Sequence, residues 1–172
     1  DGDKVTVKGA GSVKITASQS GNARYSAAPA AEIEIAIAKA DQTISFDALR
    51  EYTLIDSPLL TATASSGLAL TYSSSDETVA VINGNSIDIV GLGETFITAT
   101  QSGNENYNPA TPQQHKLVVT KATQAIGFEN IPAVTLLDET VQLTATASSN
   151  LPIEFISSNL SVAVIDGNNA II

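Results

Sequence analysis

His115 is the single histidine among 172 residues, and the chain has no cysteine. A catalytic imidazole needs a substrate-facing position and a partner that orients it. A lone histidine in an alternating segment instead predicts a partly buried strand residue. Without cysteine there is no thiolate nucleophile, disulfide or Cys-based zinc site. Hydroxyls cluster at Ser65-Ser66 and Ser73-Ser74-Ser75. No Gly-x-Ser-x-Gly elbow surrounds them, and the expectation is bonding to local backbone at strand ends and turns. Gly9-Ala10-Gly11 and Gly91-Leu92-Gly93 carry a Gly-x-Gly spacing without the rest of a phosphate-binding fingerprint, which predicts a backbone role. Asp76-Glu77 and Asn104-Glu105-Asn106 gather oxygen ligands of the kind calcium prefers. No catalytic, cofactor-binding or metal-ligating residue is assigned. Calcium is the one ion these loops would suit, and no other cofactor is expected.

Charge narrows the partners. Eight Lys and Arg stand against 18 Asp and Glu, a formal charge of −10. Such a chain has no basic stripe to release counterions from nucleic-acid phosphates, and no polybasic patch for an anionic bilayer. No apolar run reaches the ~20 residues a membrane helix needs, so this segment is not expected to insert.

The elements that would position these residues are set by an internal repeat. Gly91 to Tyr107 matches Gly9 to Tyr25 at an offset of 82, with 10 of 17 positions identical. Lys39-Ala40-Asp41-Gln42-Thr43-Ile44-Ser45-Phe46 returns at the same offset as Lys121 to Phe128. Leu60 to Leu68 returns as Leu143 to Leu151 at an offset of 83, so one extra residue enters between Phe128 and Leu143. On this period, residues 40–121 form a complete unit. Residues 1–39 read as the back part of a preceding unit and residues 122–172 as the front part of the next, in a stretch of a longer array. The repeat weakens a shared calcium site: Glu105 and Asn106 fall on Ala23 and Arg24, and Asp41 falls on Thr123.

Apolar and polar residues alternate over short runs bounded by turn residues, the period of half-buried strands. The complete unit predicts strands near 43–47, 59–65, 70–74, 79–82, 86–90, 95–101 and 116–121, with a weaker one at 52–55. About three strands are expected in residues 1–39 and four or five in 122–172. Asn83-Gly84 predicts a type I′ hairpin turn, repeated at Asp1-Gly2 and Asp166-Gly167. Positions that stay apolar between repeats point inward: Ile97 with Ile15, and Ala99 with Ala17. Ile44, Phe46, Leu60, Ala62, Ala64, Tyr72, Val79, Val81, Ile87, Ile89, Leu117 and Val119 complete the expected core. Phe96 falls on Lys14 and should face outward. Tyr25 and Tyr107 follow Ser-Gly-Asn in both copies, and each is expected to close the end of a sandwich with its ring inside.

Gln-x-Ile-x-Phe, Leu60-Thr-Ala-Thr-Ala-Ser-Ser-Gly-Leu68, Val79-Ala-Val-Ile-Asn-Gly-Asn85 and Gly91-x-Gly-x-Thr-x-Ile-Thr-Ala-Thr-Gln-Ser-Gly-Asn104 succeed one another in a fixed order. In that order the chain resembles the bacterial immunoglobulin-like repeats, specifically the group-2-like tandem modules of large secreted surface proteins and adhesins. The resemblance implies an all-β fold: tandem Ig-like antiparallel β-sandwiches of about 82 residues each. It implies export to the bacterial cell surface and a stalk or filament whose partners are neighbouring repeats of the same polypeptide. The alternative it leaves open is an adhesive module whose loops touch a receptor or glycan. The family shares core and turn residues rather than a reacting site, so it transfers no functional residue and predicts no enzyme.

Overall fold

The computed structural model describes residues 4–172, and the turn expected at Asp1-Gly2 lies outside the described residues. Among the described residues the chain is all-β, in several sheets consistent with a β-sandwich. No helix is present that is long and apolar enough to cross a membrane. The chain divides into two compact units, Asp1–Lys121 and Ala122–Ile172.

In the first unit, β1 (Gly11–Gln19) and β2 (Ala28–Ile37) form an antiparallel hairpin. Further along come β3 (Ile44–Ser45), β4 (Glu51–Thr53), β5 (Thr63–Ala64), β6 (Thr71–Ser74), β7 (Ala80–Asn83), β8 (Ser86–Ile89), β9 (Gly93–Thr100) and β10 (Gln113–Thr120). A four-stranded sheet runs β4-β10-β9-β6, while β3 pairs with β5 and β7 with β8. All these pairings are antiparallel except β4 with β10, which is parallel and departs from the all-antiparallel expectation. Ile97, Leu117 and Val119 from the large sheet meet Leu60, Val79, Ala80 and Ile87 from the opposing segments in one buried cluster. Ile44, Ala99 and Ala110 bury beside it, with Phe46 and Tyr72 packed against both clusters. Alternation explains this placement: on β9, Thr95, Ile97 and Ala99 are buried, and Phe96 between them is 45% exposed.

Several expectations need correction. Val81 does not join the core; Ala80 and Ile82 do, opposite Ile89 and Ile87. The Val79 carbonyl accepts from both Val90 and Gly91 N–H at the corner before β7, so Val79 is buried outside the strand's alternation. A one-residue change of phase swaps faces. The hairpin turn is also shifted by one residue. Asn83 pairs with Ser86, so Gly84 and Asn85 are the central pair. Only Gly84 has positive φ, at 64°, which is the II′ pattern rather than I′. Gly167, at φ 57°, repeats it between Asp166 and Asn169. Ala62 and Ala64 are half-buried. Residues 4–39 hold two strands rather than three, because residues 4–8 find no strand partner among the described residues. Tyr25 is 73% exposed, whereas Tyr107 is half-buried beside Ala40. No counterpart of Ala40 covers Tyr25 within residues 4–39.

The second unit repeats several pairings and turn bonds of the front of residues 40–121. Its strands are β11 (Ile126–Phe128), β12 (Thr140–Gln142), β13 (Ala145–Ala147), β14 (Val164–Asp166) and β15 (Asn169–Ile171). β11 pairs with β13 as β3 does with β5. Thr135 N–H and Oγ1 donate to Asp138 Oδ2 as Thr53 donates to Asp56 Oδ2, and Leu143 N–H reaches Asn168 O as Leu60 N–H reaches Asn85 O. The extra residue therefore lies between Asp138 and Leu143, where Glu139 takes φ 58°. Pro58, which has no N–H, is matched by Val141 in the second unit. The contact that is one isolated Leu59–Ser86 bridge in the first unit lengthens to the three-residue β12–β15 ladder.

Candidate functional site

The residues with chemical potential are spoken for by the fold. His115 lies half-buried on β10, its Nε2 2.8 Å from the Phe46 carbonyl and its ring edge-on to Phe46 at 5.0 Å. A carbonyl only accepts, so Nε2 carries the hydrogen. Ser74 and Ser75 Oγ lie 2.9 and 3.1 Å from the buried Thr95 Oγ1, which also accepts from Asp76 N–H. This hydroxyl cluster stitches β6 to β9. Asp76 Oδ1 accepts from Thr78 Oγ1 (2.6 Å) and N–H (2.9 Å), and those bonds lower its carboxyl pKa. Asp56 is lowered by bonds from Thr53 N–H and Oγ1, with Arg50 adding to them, and Asp138 by the equivalent bonds from Thr135. Each aspartate closes a turn. Among the described residues no three His, Asp or Glu side chains converge as metal ligands would.

The Ser-Gly-Asn-x-x-Tyr loop is built identically twice. Asn104 Oδ1 accepts from Asn106 N–H (2.8 Å) and Tyr107 N–H (3.0 Å), and Asn104 N–H donates to Tyr107 O. Asn22 Oδ1 takes Arg24 and Tyr25 N–H at the same two distances, with Asn22 N–H on Tyr25 O. Gly21 and Gly103 stand at φ 74° and 78°, and a Cβ on either would strike loop backbone, so glycine is required there. Local sequence alone thus dictates this loop.

The second copy of the loop holds a joint. Ala40 N–H donates to Asn106 O (2.8 Å), and Asn108 N–H donates back to Ala40 O (2.9 Å). Asn108 Nδ2 donates to Asp41 Oδ1, and Lys39 Nζ reaches Asn104 O at 2.7 Å. Because Asn104 already caps the loop, the Asn106 side chain is free to reach the preceding segment. Its Oδ1 accepts Ala10 N–H at 2.9 Å. A Cβ on Gly9 would come within 2.8 Å of that oxygen, so a side chain there would press on the bond. The Gly-x-Gly corner of residues 4–39 therefore rests on the loop of residues 40–121. Exposed hydrogen bonds contribute about 0.5–1.5 kcal/mol each, so the joint is positioned without being rigidly locked.

Gln42 anchors the joint from beneath and was not singled out by its residue type. At 7% exposure, its Nε2 donates to Gln101 Oε1 (2.8 Å) and Asn108 O (2.7 Å), and its Oε1 accepts Ser66 Oγ–H. The recurrence of glutamine at 42 and 124 was the available signal. Asn106 left none, because its repeat counterpart is Arg24.

No model of a known protein family matches the chain, and no curated protein matches it either.

Proposed function

We propose that residues 40–121 are one module of a tandem array of Ig-like sandwiches, serving as a spacer in a bacterial exported surface protein. One observation carries this reading: the 82-residue recurrence extends from sequence to individual turn hydrogen bonds, as in the loops closed by Tyr25 and Tyr107. Successive modules would meet where the Gly-x-Gly corner of one rests on the Ser-Gly-Asn loop of the next. The covalent link is as short as Lys39-Ala40-Asp41, and a link of that length restrains neighbours more than a Gly/Ser tether would. Net negative charge would keep a long array soluble.

Small-angle X-ray scattering on polypeptides of one, two and three consecutive 82-residue modules tests the spacer reading. Each added module should lengthen the particle by at least ~27 Å, the reach of an eight-residue strand such as β9. A maximum dimension that does not grow with module number overturns it. Exchange of the loops around Asp76 and Asn104 between modules should leave surface attachment unchanged. Lost attachment would favour the adhesive alternative.

A further inference from the structure

Asn83 is the one asparagine in the sequence that a glycine follows. That neighbour matters because glycine carries no Cβ to crowd an atom approaching its amide nitrogen. The structure leaves the pair open. Asn83, Gly84 and Asn85 are all exposed, and a Cβ built on Gly84 would meet nothing within 4 Å. Asn83 is the last rung of the β7–β8 ladder, and Gly84 stands outside that ladder. The side chains of Asn22, Asn104, Asn106, Asn108 and Asn159 are each held by a hydrogen bond. Among the described residues none holds the Asn83 side-chain amide or the Gly84 N–H.

We propose that Asn83-Gly84 is a site of spontaneous covalent modification, at which the folded module turns its own asparagine into aspartate and isoaspartate with water as the co-reactant. The Gly84 nitrogen gives up its proton to solvent base and bonds to Asn83 Cγ. The Cγ–Nδ2 bond breaks, and the side-chain nitrogen takes a proton from water and departs as ammonia. A succinimide ring is left, made of the Gly84 nitrogen and the Asn83 carbonyl carbon, Cα, Cβ and Cγ. Water then opens the ring. Cleavage between the nitrogen and Cγ gives aspartate. Cleavage between the nitrogen and the carbonyl carbon gives isoaspartate, whose main chain runs on through Cβ and Cγ. The net change consumes a water and releases an ammonia, with nothing oxidised or reduced.

The two products differ in what they do to the fold. Asp166-Gly167 occupies the same repeat position, with Gly167 at φ 57° against 64° for Gly84. Asp166 pairs with Asn169 as Asn83 does with Ser86, and Leu143 N–H reaches Asn168 O as Leu60 N–H reaches Asn85 O, both at 2.7 Å. A carboxylate at this turn therefore leaves it intact. Isoaspartate instead lengthens the main chain by a carbon at the rung that closes the hairpin. Beside that rung, Asn85 O holds Leu60 N–H, Ser86 bridges Leu59, and Ile87 N–H donates to Pro58 O at 3.0 Å. Leu60 belongs to the buried cluster, so slippage at the turn loosens a segment that carries a core side chain. Either product adds a negative charge to a chain already at −10. The inference lies wholly within the complete unit and does not rest on the spacer reading.

Ageing the 172-residue chain in mildly alkaline buffer tests it, with peptide mass spectrometry to follow each asparagine and enzymatic methylation to count isoaspartate. The peptide holding residue 83 should gain the mass that separates an acid from an amide, and isoaspartate should accumulate in step with it. Asn85 shares the exposed turn but is followed by serine, and Asn83 should convert about ten-fold faster, a barrier lower by about 1.4 kcal/mol. Asn83→Gln would have to close a larger ring and should stay unchanged at that position. Asn83→Asp should keep the fold of the fresh parent by circular dichroism. Amide exchange at Leu60 and Ile87 should be about ten-fold faster in isoaspartate-bearing molecules than in Asn83→Asp, as local opening of the clamp requires. The same chain unfolded in urea separates structure from sequence. An Asn83 that keeps its amide in the folded chain while converting in urea overturns the proposal. So does conversion no faster than at Asn85, or exchange at Leu60 and Ile87 that isoaspartate leaves unchanged.

Discussion

Replacing Gln42 by alanine should be among the most damaging polar substitutions in residues 40–121. The side chain is nearly fully buried and joins three partners: Gln101 Oε1, the Asn108 carbonyl and the Ser66 hydroxyl. Gln101 Oε1 retains a bond from Gly103 N–H, so the groups left wanting are Asn108 O and Ser66 Oγ. At about 1 kcal/mol per lost bond, plus a penalty for part-buried groups left unpaired, the loss is about 2–4 kcal/mol. For an 82-residue module that is a fall in melting temperature of roughly 10–25 °C. The chain offers a built-in probe. Its four tyrosines, Tyr25, Tyr52, Tyr72 and Tyr107, all precede residue 122, so tyrosine fluorescence during urea unfolding reports on the first unit alone. Gln124 is the internal control: it occupies the same repeat position, but it is exposed and its side chain accepts only from Ser149 Oγ–H. Gln124→Ala should cost under ~0.5 kcal/mol. Ser66→Ala should cost about 1 kcal/mol, and combining it with Gln42→Ala should add less than the sum, because the two share a bond. A Gln42→Ala loss below ~1 kcal/mol, or one equal to that of Gln124→Ala, would refute the claim that burial and triple bonding make Gln42 a keystone.

Four further outcomes are expected. Ile97→Ala should destabilise the first unit by about 2–5 kcal/mol, through lost burial and the cavity left behind. Phe96→Ala, one position along the same strand, should stay within ~0.5 kcal/mol, and urea midpoints decide between them. Asp56, Asp76 and Asp138 are all lowered from 3.8 by bonds to their carboxylates. Their contribution is therefore full above about pH 4 and is lost as pH falls through their depressed folded values, so an acid titration by circular dichroism should show stability falling below that point and no dependence on these groups from pH 5 to 8. Asn106→Ala should leave the urea midpoint of the first unit within ~0.5 kcal/mol, while the Ala10 amide exchanges with solvent about five-fold faster, as loss of one exposed hydrogen bond requires. Glu139→Gly should relieve a left-handed backbone and, after glycine's own entropic cost, stabilise the second unit by about 0.5–1 kcal/mol, seen as slower amide exchange in β12 and β15.

What could be read from the sequence follows from what repeats. Ile97, Ala99 and Phe96 were placed correctly because a second copy showed which positions tolerate lysine and which do not. The Asn104 and Asn22 loops recur in sequence and geometry together because their bonds are local, yet the recurrence alone pointed to the tyrosine ring, which Tyr25 leaves exposed, and not to the asparagine that closes the loop. Val81 was misplaced because alternation was counted through Val79, across a corner where the chain changes phase. The turn at Gly84 slipped by one because the Asn-Gly pair invites a centre that the Asn83–Ser86 pairing rules out. Gln42 and Asn106 were missed as determinants because their importance comes from distant partners. Gln42 lies 59 residues from Gln101 and Asn106 lies 96 from Ala10, separations that no local pattern encodes.

The parallel pairing of β4 with β10 has a consequence for force. A pull applied near residues 40 and 121 loads the early strip of the module from one end and β10 from the other. Where strands run side by side in the same direction, such a pull slides one along its neighbour. The rungs joining Glu51–Thr53 to Val118–Thr120, and the bridge from Ala40 to Tyr107, then share the load and fail together. An antiparallel contact pulled open from one end would instead part rung by rung. The module resists stretching through the geometry of these two parallel contacts, one on either side of β3 in the chain.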